Sequence, residues 1–447
     1  MNLLDLPNEV FWEILRCAVS CRELNRALRL KLVCRLFYNS VPRAIFEVGL
    51  DDNVRARDYT NMMFMKVNWR TYKSYGYNDF WHAYLVYRVR TETDPTQGQY
   101  VNIRQVVDAW CGYTNDAFEA TVDALCWLVL EQGEMTPGHR SPWQEGDEPL
   151  NLGLSLLSVA AHFGHIPLAK KFLAEVRYPD SLFPSPTFLA AVTGNFDMLE
   201  LLQEALLNSG VRDPWDGHWE AIRAACQYGD VDIFRLAIKY EMEEFRLYPR
   251  SYGLRTLTKT VSLELYRYIC SLVGEPTDGE KGTIVTAHTK FGNTEMVRYL
   301  LDGDVLEIRP GKLNELLEIA VKFNHDELVD LLLKRGADTD YWRHRALSTE
   351  LCLAVSRGSL PIVRKLLDYG AKIMYCCLEC AVMLEHTGIL TLLLTRGSVK
   401  NYNKVFKAAR KNELWSMVDF MIEYNRSQPK IKVPKRRKDR KVFVANL

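Results

Sequence analysis

The feature that most constrains this chain is an internal repeat. Segments such as SLLSVAAHFGHIPLAKKFL (155–173), ELLEIAVKFNHDELVDLLL (315–333) and TELCLAVSRGSLPIVRKLL (349–367) fit one template. Aligned on the residue that ends the first half, the anchors are Gly164, Gly194, Gly229, Val261, Gly292, Asn324, Gly358, Glu385 and Asn412. Successive steps run from 27 to 35 residues, the length of one helix-turn-helix unit with its connector. Four residues before the anchor stands Ala160, Ala190, Ala225, Ala320, Ala354, Ala381 or Ala408, in seven of the nine units.

The template has a physical reading. A small residue lets two antiparallel helices approach closely, and Gly or Asn accepts the left-handed backbone that ends a helix. Apolar pairs such as Leu332-Leu333 and Leu366-Leu367 then fall on the second helix, on a face that one unit cannot bury alone. The expectation is an all-α solenoid in which neighbouring units supply each other's core. The unit around Val261 is the weakest, because it lacks both the glycine and the alanine.

The units resemble ankyrin repeats most clearly in ELVDLLLKRGADTD (327–340) and IVRKLLDYGAKI (362–373), which carry the leucine pair and the Gly-Ala ending. The Thr-Pro-Leu-His opening survives only in part, as Thr349-Glu350-Leu351-Cys352, and a generic helical-pair solenoid is the alternative. The resemblance implies a non-catalytic scaffold that holds a protein partner through variable surface residues.

The first fifty residues follow another pattern. Pro7 suits a first helical turn, and Leu6, Val10, Ile14 and Leu15 recur at helical spacing. Leu6-Pro7-Asn8-Glu9, Ile14-Leu15 and Leu32-Val33-Cys34-Arg35-Leu36-Phe37 together resemble an F-box. This implies docking on the Skp-type adaptor of a cullin-RING ubiquitin ligase through Leu6, Pro7, Ile14, Leu15, Leu32 and Val33. The competing reading makes these helices a cap on the repeats, and exposure of the apolar residues decides between them. An F-box followed by degenerate ankyrin repeats is similar to a group of proteins expanded in filamentous fungi.

The expected organisation is therefore an F-box-like helical module at 1–48, a helical connector and cap at 49–148, about nine degenerate ankyrin repeats at 149–427 and a basic tail at 428–447. The span from Asp51 to Arg90 is crowded with aromatics, Phe80, Trp81, Tyr84 and Tyr87 among them, and is expected to be a packed connector. Without a basic stripe, the interleaved aromatics argue against direct nucleic-acid binding. Val106 to Gly133 is helical in pattern and is either a further degenerate unit, with Ala117 in the small position, or a cap. Thr136 to Pro149 reads as a loop.

Composition closes several routes. No apolar run is long enough to span a bilayer, and MNLLDLPNEVFWEIL has no basic leader before an apolar core, so an intracellular protein is expected. The eleven cysteines sit among apolar neighbours, as reduced core residues do. Cys376-Cys377-x-x-Cys380 with His386 is the nearest approach to a metal motif, but a structural zinc site takes four ligands and no second such pair exists. Core packing is the reading for these cysteines, with no metal and no cofactor. His162-x-x-His165 falls in a repeat turn, and no HExxH, GxSxG or Walker loop occurs. No membrane contact and no small-molecule substrate are expected.

The tail from Pro429 holds eight Lys or Arg against Asp439, on a chain whose overall formal charge is +1. Within it Lys435, Arg436, Arg437, Lys438, Arg440 and Lys441 have the compact form of a nuclear-import signal, and the nucleus is the expected location. Two functions follow from the sequence. One is a substrate receptor that recruits a protein to a cullin-RING ligase. The other is a nuclear ankyrin-repeat transcription coregulator, in the fungal group one serving a secondary-metabolite gene cluster.

Overall fold

The computed structural model describes residues 6–21, 27–49, 77–93, 98–131, 151–173, 182–208, 217–247, 249–302, 310–340, 349–397 and 402–427. Among them every regular element is helical. The chain divides into two units, Met1–Pro276 and Thr277–Leu447.

The first unit opens with α1 (Asn8–Ser20), a 3-10 turn at Arg29–Leu32 and α2 (Arg35–Val48). Helix α1 has three faces. Phe11, Leu15 and Val19, four residues apart, are buried against α2, while Glu9, Glu13, Arg16 and Ser20 form a polar stripe. Pro7, Val10, Ile14, Cys17 and Cys21 form a third stripe, which is exposed. The aromatic rings of Phe11 and Phe37 meet edge to face at 5.5 Å and lock α1 onto α2.

Helix α3 (Tyr77–Thr91) continues this core. The Phe46 ring lies 5.2 to 5.6 Å from those of Phe80, Tyr84 and Tyr87. The aromatic stretch thus packs as a connector where it is described. Tyr59, Phe64, Trp69, Tyr72 and Tyr75 lie outside the described residues, as does the loop at 136–149. Helices α4 (Gly98–Thr114) and α5 (Phe118–Glu131) form an antiparallel pair that turns at Asn115, where φ is +62°. Asn115 is the helix-ending residue of this pair, and Ala117 lies beyond the turn rather than at the helix crossing.

Four repeat pairs complete the first unit: α6 (Leu152–Phe163) with α7 (Ile166–Leu173), α8 (Pro186–Val192) with α9 (Phe196–Asn208), α10 (Gly217–Tyr228) with α11 (Val231–Leu247), and α12 (Pro249–Leu257) with α13 (Leu263–Val273). The second unit holds five: α14 (Asp278–Phe291) with α15 (Thr294–Asp302), α16 (Pro310–Lys322) with α17 (Asp326–Lys334), α18 (Glu350–Ser356) with α19 (Leu360–Asp368), α20 (Tyr375–Met383) with α21 (Thr387–Arg396), and α22 (Tyr402–Lys411) with α23 (Trp415–Ser427). First helices pack on first helices and, from α9 onward, second helices on second helices within each unit.

One turn chemistry repeats. The residue after the anchor donates its backbone N–H to the carbonyl five residues back: His165 to Ala160, Asn195 to Ala190, Asp230 to Ala225, His325 to Ala320, Ser359 to Ala354 and His386 to Ala381, at 2.8 to 3.1 Å. This closes the first helix with its C-terminal carbonyl satisfied. At several turns the same residue also starts the second helix, its side chain accepting from the N–H three positions on, whereas His325, Ser359 and His386 make no such bond. Asn195 accepts from Met198 at 3.0 Å, Asp230 from Ile233 at 2.9 Å and Asn293 from Met296 at 3.0 Å. His165 does this through Nδ1 with Leu168, at 3.3 Å, which is the role of the second histidine in His162-x-x-His165.

The last anchor is shifted by one residue. Glu413, not Asn412, takes the left-handed conformation, with φ +57°, and Leu414 N–H bonds Ala409 rather than Ala408. The shift restores the core register, since the fourth, fifth and eighth residues after every later anchor are buried, Leu168 after Gly164 being half-buried. Leu328, Val329 and Leu332 follow Asn324 in this way, Ile362, Val363 and Leu366 follow Gly358, and Met417, Val418 and Met421 follow Glu413. Of the predicted pairs, Leu332-Leu333 is wholly buried and Leu367 half-buried. Burying each such side chain contributes about 1.5–3 kcal/mol, which holds helices as short as seven residues.

The weak unit has its own solution. Lacking an αL residue, it turns through 258–262, and Val261 N–H bonds the Cys226 carbonyl of the preceding repeat at 3.0 Å. Ser262 then caps α13 through Leu265 N–H.

Candidate interaction surfaces

The N-terminal module keeps apolar side chains in solvent while owning a core. Val10 is 44% exposed, Ile14 40%, Val33 62%, Leu36 46% and Tyr38 57%. Val10 and Ile14 lie one helical turn apart on the exposed stripe of α1, and Val33, Leu36 and Tyr38 come from the 3-10 turn and the start of α2. Lys31 stands 4.5 Å over the Tyr38 ring, and Arg16, Arg43 and Glu47 form an ion-paired border.

The residues predicted to face an adaptor divide. Pro7, Ile14 and Val33 are exposed and Leu6 half-buried. Leu15 is 1% exposed and belongs to the module's core, so it stands on the wrong side of α1 for a partner. The motif places Ile14 beside Leu15, but consecutive helical residues point about 100° apart, and only one can look outward. The Leu32 side chain lies outside the described residues, and so do Lys435, Arg436, Arg437, Lys438, Arg440 and Lys441. Leu36 and Tyr38 were not foreseen as surface. Their signal was their position beside Phe37, which alone of the three turns inward.

On the repeats, exposed aromatics gather at the helix-helix turns. Phe196 and Trp415 occupy the same place, two residues after their anchors. A second feature joins α10 and α12, where the Arg255 guanidinium stacks 3.7 Å over the Trp219 ring and Lys259 stands 5.4 Å from it. Arg223, ion-paired with Glu220, is on the same face, and burial together with Arg223 and Arg255 holds the Lys259 ammonium below its usual range. The Trp219 ring is itself buried, and Arg255 and Lys259 cover it.

The cysteine cluster lies on first helices as expected, with Cys377 buried and Cys376 and Cys380 half-buried. The thiols of Cys377 and Cys380 are drawn down to about 7, chiefly by hydrogen bonding to Cys352. Among the described residues no helix is long and apolar enough to cross a membrane.

A family model described as ankyrin repeats, three copies, matches residues 317–404, from within α16 into α22. This chain carries ankyrin repeats. Over 233 residues it is 28% identical to the B-cell lymphoma 3 protein homolog of Mus musculus, covering 51% of this chain and 45% of that protein. Over 153 residues it is 27% identical to an ankyrin repeat and KH domain-containing protein of Caenorhabditis briggsae, covering 32% of this chain and 6% of that one. The chain thus spans less than half the length of these curated relatives. Ankyrin repeats give it a role in protein–protein interaction.

Proposed function

We propose that the chain is a substrate receptor, with its N-terminal module docked on the Skp-type adaptor of a cullin-RING ubiquitin ligase and its ankyrin repeats holding the protein to be modified. The observation that carries this reading is the exposed apolar set Val10, Ile14, Val33, Leu36 and Tyr38 on a module whose other face is already packed on α3. A cap needs only its packed face, and these apolar side chains stand in solvent besides it. The Arg255 and Lys259 cations, stacked over the buried Trp219 ring, favour a partner segment with acidic residues.

The test is a pull-down of the full chain from cells. Adaptor and cullin should be recovered with the wild type and lost with Ile14→Glu and Val33→Glu together, while the repeats stay folded. Absence of both from the wild-type eluate would sink the reading.

The second reading, a nuclear ankyrin-repeat coregulator, is supported by the basic cluster at 435–441. Nuclear fluorescence of the tagged chain that survives alanine at Lys435, Arg436, Arg437 and Lys438 would count against it.

A further inference from the structure

The cysteine motif that looked incomplete acquires its fourth member from the preceding repeat. The Sγ atoms of Cys352, Cys376 and Cys377 all lie within 4.8 Å of one another, and Cys352 Sγ is 3.8 Å from Cys380 Sγ. Cys352 is on α18, and the other three are on α20, the first helix of the next unit. We propose that Cys352, Cys376, Cys377 and Cys380 form a four-thiolate site for a thiophilic d10 ion of the zinc class, which staples the repeat of α18 and α19 to that of α20 and α21.

Three observations support the site. A tetrahedral zinc centre with Zn–S bonds of about 2.3 Å has sulfurs about 3.8 Å apart, which is the Cys352–Cys380 separation. Cys376 and Cys377 on α20 face Cys352 on α18, and Cys380 approaches the set through Cys352. Cys352 and Cys377 are buried while Cys376 and Cys380 are half-buried, so the site is shielded and still has an entry. A disulfide would need sulfurs about 2.05 Å apart and could use only two of the four per bond. On binding, each thiol releases its proton to solvent as its sulfur bonds the ion, and no electrons are exchanged.

The experiment uses the full chain, reduced, stripped with a chelator and titrated with Co(II) alone. A thiolate-to-cobalt charge-transfer band should grow to saturation at one ion per chain and vanish on adding one equivalent of Zn(II). Cys352→Ser and Cys380→Ser should each weaken binding at least tenfold, whereas Cys270→Ser, on α13, should leave it unchanged. Circular dichroism checks that the variants fold. If one does not, native mass spectrometry of the wild type serves instead, with one zinc per chain supporting the site and none overturning it. The proposal is also overturned if no saturable band forms, if the band is indifferent to both substitutions, or if the chain alkylated directly from cells contains a disulfide among the four that zinc does not prevent.

Discussion

Gly292→Ala tests whether the anchor glycines serve the turn alone or also the contact between repeats. Gly292 has φ +73°, a conformation that costs a side-chain-bearing residue about 1–2 kcal/mol. A Cβ built there would lie 2.5 Å from Nδ1 of His325, the residue after the next repeat's anchor. His325 must then move, and its Nε2 contact of 2.9 Å to the Lys290 carbonyl, worth about 1 kcal/mol, goes with it. The sum is about 2–3 kcal/mol. Gly336, with φ +88° and open space where a Cβ would stand, is the control and carries the conformational cost alone. Urea denaturation followed by circular dichroism should rank Gly292→Ala below Gly336→Ala by about 1 kcal/mol. In a His325→Ala background that excess should disappear, as a coupling energy. Equal losses at the two glycines, or strict additivity with His325→Ala, would refute the interlocking of consecutive turns.

Glu350, the first residue of α18, is pushed up to about 7 by burial and by the carboxylates of Glu318, Asp338 and Asp340. Its native form keeps a proton that the unfolded chain releases near 4.5, so this group's contribution to stability is lost as pH rises from about 4.5 through about 7. Glu350→Gln should therefore match the wild type near pH 4 and exceed it by about 3 kcal/mol at pH 8, read from urea midpoints. His162 and His325 act in the opposite sense, because burial lowers both and the stability they contribute is lost as pH falls below 6.5. At the N-terminus, Leu15→Ala should cost about 2–5 kcal/mol and Ile14→Ala less than about 0.5 kcal/mol in thermal denaturation, since one is core and the other surface.

The anchors were legible because a left-handed helix end narrows the choice of residue, and Gly164, Gly194, Gly229, Gly292, Asn324 and Gly358 all obey it. Asn412 misled for the same reason, since asparagine tolerates that backbone better than glutamate, yet burial of Met417, Val418 and Met421 sets the turn at Glu413. Local preference lost there to core register. Leu15 misled because a motif written as adjacent letters ignores the rotation between neighbouring helical residues. The fourth thiol, Cys352, was hidden because it lies 24 residues before Cys376 in the chain and is brought beside it only by stacking of α18 on α20. Spacing within one repeat carries no sign of it.

The most direct test of the account is calorimetric titration of the purified full chain with a purified Skp-type adaptor. The account predicts a one-to-one complex whose formation has a negative heat-capacity change, as burial of Val10, Ile14, Val33, Leu36 and Tyr38 requires, and its loss in the Ile14→Glu, Val33→Glu variant. A wild-type chain that gives no binding, or a variant that binds as tightly as the wild type, would contradict it.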